Sequence, residues 1–126
     1  MLKIITNNVP RDFVKGYIDA ALWSSYDEKG EPLDSLDLEL SDEFKQNAKI
    51  DCQDFINSNL TDLGLYAEQY NSNPEYAGHD FWLTRNGHGA GFWDRGLKAL
   101  GERLSDAAKV YGGVDLYVCD GVVYAN

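Results

Sequence analysis

The stretch Gly78-His79-Asp80-Phe81-Trp82-Leu83-Thr84-Arg85-Asn86-Gly87-His88-Gly89-Ala90-Gly91-Phe92-Trp93-Asp94-Arg95 decides how the chain is read. Aromatic and β-branched residues flank Asn86-Gly87, a dipeptide that suits a type I′ turn. Residues His79 to Trp93 therefore read as a β-hairpin. In that register Phe81 faces Phe92, Asp80 faces Trp93, His79 faces Asp94 and His88 faces Arg85.

Helices are expected on both sides of this hairpin. The first spans about Pro10 to Tyr26, with Asn8 as its cap and Pro10 in its first turn. Val14, Ile18 and Leu22 share one face, with Phe13, Tyr17 and Ala21 beside them. A second starts after Ser41, where Phe44, Ala48, Cys52, Phe55, Ile56, Leu60 and Leu63 repeat at three and four. Gly64 ends or bends it, and Leu65–Tyr70 add a short turn of helix. Asn71–Glu75 reads as a loop. A third helix runs from Asp94 or Arg95 to Tyr111, with an apolar stripe through Leu97, Leu100, Leu104, Ala107, Ala108 and Tyr111, and Gly112 as its stop.

Asp120-Gly121 marks a second hairpin, which pairs Tyr117 with Tyr124 and Val118 with Val123. Neither hairpin is stable alone, so the two combine into one antiparallel sheet with the helices on one face. The expected fold is α+β in the order α-α-ββ-α-ββ, one domain over residues 1–126.

Hydrophobic residues make up 44% of the chain and aromatics 13%, too many for a disordered polypeptide. No apolar run approaches the length of a membrane span. Met1–Asn8 reads as lacking a secretory signal, and Cys52 and Cys119 as reduced, mostly buried thiols. Both point to a cytoplasmic setting.

The net charge of −10 is unevenly placed. Asp27, Glu28, Glu31, Asp34, Asp37, Glu39, Asp42 and Glu43 face only Lys29 within their stretch, a local net charge of −7. Such a field repels nucleic-acid phosphates and anionic membranes and attracts a basic partner. Spaced carboxylates imitate the phosphate ladder of DNA, and these eight residues are the expected partner-binding set. The plainer reading is a solvated acidic loop. Leu33, Leu36, Leu38 and Leu40 interleave with the acids, so part of the stretch is expected to dock on the core or on a partner.

His79, Asp80, His88, Asp94 and Arg95 are the residues with catalytic chemistry. The hairpin sets His79 and His88 roughly 20 Å apart at ~3.3 Å per residue, too far to share a metal. His79 with Asp94 would make an oriented imidazole, but no Ser or Cys nucleophile stands beside them. A hydrogen-bonded histidine closing the hairpin is the favoured reading. The glycines from Gly87 to Gly91 lack the strand-to-helix context of a phosphate loop. They read instead as room for Trp82 or Trp93 to lie across. Nothing in the chain calls for a metal or cofactor.

Ala20-Ala21-Leu22-Trp23-Ser24-Ser25, the Gly78–Arg95 run and Val114-Asp115-Leu116-Tyr117-Val118 resemble an uncharacterised family of small bacteriophage and prophage proteins. The likeness covers the first helix and most of residues 77–124 and leaves out the acidic middle. It implies an accessory protein at work in a bacterial host cell. Together with the charge, the first expectation is a non-enzymatic protein that modulates a host or phage protein, such as a DNA-handling or defence complex. A small enzyme or ligand-binding protein using His79 and Asp94 is the second expectation, and a virion structural or assembly factor the third.

Overall fold

Two helices, α1 (Asn8–Trp23) and α4 (Pro74–Arg85), cross at the centre of the protein. The computed structural model describes residues 8–126. The expected cap by the Asn8 side chain lies outside what is described. A Cβ added at Gly16 would lie 2.0 Å from the Glu75 carbonyl oxygen, and one at Gly78 would lie 1.9 Å from that of Phe13. Glycine on each helix thus lets the other backbone approach more closely than any side chain allows. Phe13, Tyr17, Ala20 and Ala21 are buried on α1, while Val14, Ile18 and Leu22 pack at the margin of the core. The buried face is therefore rotated from the expected one.

The first expected hairpin is a helix. Asn73 caps α4 by accepting the Glu75 N–H at 3.0 Å, and Pro74 takes the first turn, so the expected Asn71–Glu75 loop already begins the helix. Asn86-Gly87 ends α4: the Asn86 amide donates to the Trp82 carbonyl, and Gly87 has φ +70°. A short 3-10 turn at Phe92–Asp94 follows. The β reading failed because Ala77, Gly78 and Asp80–Arg85 are all buried, around the whole circumference of α4. The turns from Asp80 to Arg85 are enclosed on every side and show no apolar stripe.

There are five α-helices among the described residues where three were expected. The second expected helix divides into α2 (Asp42–Ser58) and α3 (Leu60–Gln69). The break falls at Asn59, whose amide donates to the Phe55 carbonyl, a side-chain bond that competes with helix continuation. Gly64 lies within α3. The third expected helix is shorter, α5 (Ala99–Lys109), because Gly96 and Lys98 both adopt positive φ. Its stripe of Leu97, Leu100, Leu104 and Ala108 is buried as read, and Gly112, at φ +75°, follows its end.

The sheet has three strands in the order β1-β3-β2, with β1 at Glu39–Leu40, β2 at Leu116–Cys119 and β3 at Val122–Ala125. The second hairpin forms in the expected register, Tyr117 to Tyr124 and Val118 to Val123, about Asp120 and Gly121 with φ of 50° and 77°. The acidic stretch supplies the remaining strand, which pairs parallel to β3 through Glu39–Val122 and Leu40–Val123. Val123 is wholly buried, with Leu116, Val118 and Ala125 packed against the core beside it. The other face carries Tyr117 stacked on Tyr124 at 5.4 Å. An α+β fold with one sheet face covered is what the chain adopts.

Among the described residues no helix is long and apolar enough to cross a membrane. Both cysteines are free; Cys52 is buried as expected and Cys119 is exposed, contrary to expectation.

Candidate functional site

The Gly78–Arg95 segment folds back on itself so that Arg95 reaches Asp80. The Asp80 carboxylate is 1% exposed and accepts bonds from the Tyr66 hydroxyl at 2.7 Å and from Arg95 Nε and Nη2 at 3.1 and 2.6 Å. A buried charge is tolerated only with partners of this kind. The Arg95 guanidinium also lies over the Tyr70 ring, 5.6 Å from its centre. The hydrogen bond to Asp80 pushes the Arg95 pKa up, and burial together with the Asp80 charge pushes the Tyr66 phenol up.

Beside this pair opens a cleft of about 420 Å³ lined by Asp19, Tyr70, Glu75, Tyr76 and His79, with Asp80 and Arg95. Lys15 spans its acids, 2.9 Å from Asp19 and 3.6 Å from Glu75. His79 is half-buried and lies against Trp23 with ring centres 5.6 Å apart. Burial holds its imidazole below the usual range.

The expected pair of His79 with Asp94 does not form. His79 sits on α4 against Trp23 of α1, while Asp94 is exposed in the 3-10 turn, where its backbone N–H donates to the Gly91 carbonyl. No hydrogen bond or ion pair joins the two among the described residues. His88 is exposed in the loop after α4, and its backbone N–H bonds the Leu83 carbonyl.

Trp82 is buried and donates to Ser24 Oγ at 2.9 Å, whereas Trp93 is 52% exposed. The glycines do not serve as a platform for either. Gly91 makes room for Thr84, whose Oγ1 would lie 2.3 Å from an added Cβ and which accepts the Phe92 N–H. No cluster of three His, Cys, Asp or Glu side chains is placed to hold a metal among the described residues.

Arg85 lies on the other side of α4 and is structural. It donates to the Tyr17 hydroxyl, to Asp51, and to the carbonyls of Tyr111 and Gly112, tying α1, α2 and the end of α5 to α4. Burial, foremost, pushes the Tyr17 phenol up.

The acidic stretch is held open to solvent by its own leucines. Leu33 is buried and Leu36, Leu38 and Leu40 pack against the core, so the docking expected of them is onto this protein. The intervening Asp34, Asp37 and Glu39 are exposed, as are Glu28 and Glu31 before them and Asp42 and Glu43 in the first turn of α2. Asp27 is half-buried, and its carboxylate accepts the Lys29 and Glu31 N–H groups, closing the turn. Ser41 caps α2 through Phe44 N at 3.0 Å and fixes the far end. Of these eight acids only Asp42 has a cation within 4 Å, Lys45 at 3.4 Å, among the described residues. The acids that follow are used internally: Asp51 pairs with Arg85, Asp62 with Arg103, and Asp54 accepts the Tyr111 hydroxyl.

No family model, curated protein or solved structure matches the chain. Sequence reasoning named Asp80 and Arg95 but did not join them, and it missed Tyr66, Tyr70 and Trp23. The signal for Tyr66 and Tyr70 was their spacing of four across the end of α3, which brings the two rings within 5.4 Å of each other.

Proposed function

We propose that the protein is a non-enzymatic binding protein that engages a basic surface of another protein through the carboxylates of Asp27, Glu28, Glu31, Asp34, Asp37, Glu39, Asp42 and Glu43. One contrast carries this reading. Seven of the thirteen acids outside the stretch have an arginine, lysine or tyrosine partner, whereas of the eight within it only Asp42 has a cation within 4 Å among the described residues, on a backbone pinned by Leu33, Leu36, Leu38 and Leu40. Charges presented at fixed positions steer and orient a basic partner at little ordering cost. The resemblance to phage and prophage proteins supports a host or phage target in the bacterial cytoplasm, and the exposed local charge of −7 supports a nucleic-acid-handling or defence complex, whose surfaces are basic.

The test is an affinity pull-down from host cells with the tagged protein, washed at low and at moderate salt. A basic protein retained at low salt and released as salt rises is the expected result. The fivefold variant D34K/D37K/E39K/D42K/E43K should lose it. Retention of the same partner by that variant would end the proposal.

A second reading is favoured by the cleft beside His79, whose volume falls in the range of small-molecule sites. There the protein would bind a small ligand, and His79→Ala would abolish a heat-stability shift given by that ligand while the fivefold variant kept it.

A further inference from the structure

Strand β2 lies at the edge of the sheet, with β3 on one side and no strand on the other among the described residues. The register and the Asn126 N–H bond to the Asp115 carbonyl turn the backbone groups of Asp115, Tyr117 and Cys119 toward β3. Those of Leu116 and Val118 therefore point out of the sheet. Beside them lies a groove of about 510 Å³ lined by Tyr26, Asp27, Glu28, Lys29, Leu116, Tyr117 and Val118. Both tyrosines of its lining are open to solvent, Tyr26 60% exposed and Tyr117 47%.

We infer that this groove takes an extended basic segment of a partner protein as an added strand alongside β2. Main-chain bonds to Leu116 and Val118 would supply the pairing, and Tyr26 and Tyr117 would flank alternate side chains of the segment. The occupant is basic because exposed Asp115 and Asp120 bracket β2 while Asp27 and Glu28 line the groove, with only Lys29 against them. A second copy of this chain would bring the same acids face to face and a further net charge of −10. The inference rests on the proposed binding of a basic partner and adds the strand geometry.

The experiment uses an array of ten-residue peptides with Lys or Arg at alternate positions and Val, Ile, Thr or Tyr between. The strongest binder is remade with alternate backbone nitrogens methylated, which removes strand pairing and keeps the charge. Amide hydrogen exchange is followed at Leu116 and Val118 with and without the peptide.

The parent peptide should slow exchange at both amides, and methylation should weaken binding about tenfold or more. Val118→Pro, which removes an outward-facing N–H and leaves the bonds to β3, should do the same, with Val118→Ala as the control for the lost side-chain packing. Glu28→Lys with Glu31→Lys should also weaken it. Equal binding of the methylated peptide, with the charge reversals still effective, overturns strand addition and leaves the charge-based reading standing. An array without a binder overturns strand addition whatever the pull-down shows. Leu116 and Val118 amides already protected without peptide overturn it too, because the edge is then covered.

Discussion

Gly78 on α4 meets the backbone of Phe13 on α1 so closely that an added Cβ would lie 1.9 Å from the Phe13 carbonyl oxygen. Gly78→Ala must therefore push the two central helices apart. It should destabilise the protein by about 3 kcal/mol or more in urea unfolding. Gly64→Ala is the matched control, since nothing among the described residues lies within 4 Å of a Cβ there and the residue is inside α3. It should stabilise by about 0.5–1 kcal/mol, and equal effects at the two positions would refute the packing account.

Asp80 is the one carboxylate enclosed in the core. Asp80→Asn should cost about 3 kcal/mol, because Arg95 loses its partner and Tyr66 its charged acceptor. A double-mutant cycle with Arg95→Gln should return a coupling of about 1–3 kcal/mol. Additive losses would show that the pair does not act as a unit.

Ser105 is buried in α5, and its hydroxyl has no hydrogen-bond partner among the described residues. Ser105→Ala should raise stability by about 0.5–1 kcal/mol, through the desolvation it relieves and its better helix propensity. A clear loss in thermal unfolding would mean that the hydroxyl is satisfied in solution.

His79 has its pKa lowered from an ordinary 6.5, first by burial, with Arg95 lowering it further and Asp80 and Asp19 opposing. The unfolded chain then binds more protons at this position than the folded one. Stability from the neutral imidazole is present above the ordinary value and is lost as pH falls through the lowered one. Between about pH 7.5 and about pH 5.5 the protein should lose more stability than His79→Phe, which keeps the stack on Trp23. An NMR titration midpoint above the ordinary value would reverse the sign and refute the account.

The two thiols should differ sharply. Cys119 is exposed, whereas Cys52 is enclosed and its pKa is pushed up by burial and by the neighbouring Asp51. A disulfide reagent should titrate one thiol in the native protein and the second only in denaturant. Two fast thiols in the native state would mean that α2 opens readily.

The parts of the fold legible in the sequence are those where one side of an element meets water. Leu100, Leu104 and Ala108 repeat on one side of α5, and Asp120-Gly121 sets the register of β2 with β3, so both could be read. Helix α4 could not. Asp80, Thr84 and Arg85 are buried with Phe81, Trp82 and Leu83, which erases the contrast that periodicity needs. The dipeptide Asn86-Gly87 was read rightly as a reversal and wrongly as a β-turn, since a left-handed glycine also ends a helix. That single misreading placed His79 opposite Asp94 and hid the bond from Arg95 to Asp80. The exposure of the acids from Glu28 to Glu43 was legible from composition. Their strand was not, because β1 is two residues long and its partner lies far along the chain.

That pairing of Glu39 with Val122 has a bearing on synthesis. Emerging from the ribosome, the chain displays its carboxylates long before β3 exists to receive Leu40, so the charge appears early and its fixed spacing late. A nascent or prematurely terminated product would carry the acids on a loose tether, attracting cations without register. Only a chain that reaches Val123 can hold Leu40 in the sheet, so the spacing of these carboxylates is among the last features of the fold to be set.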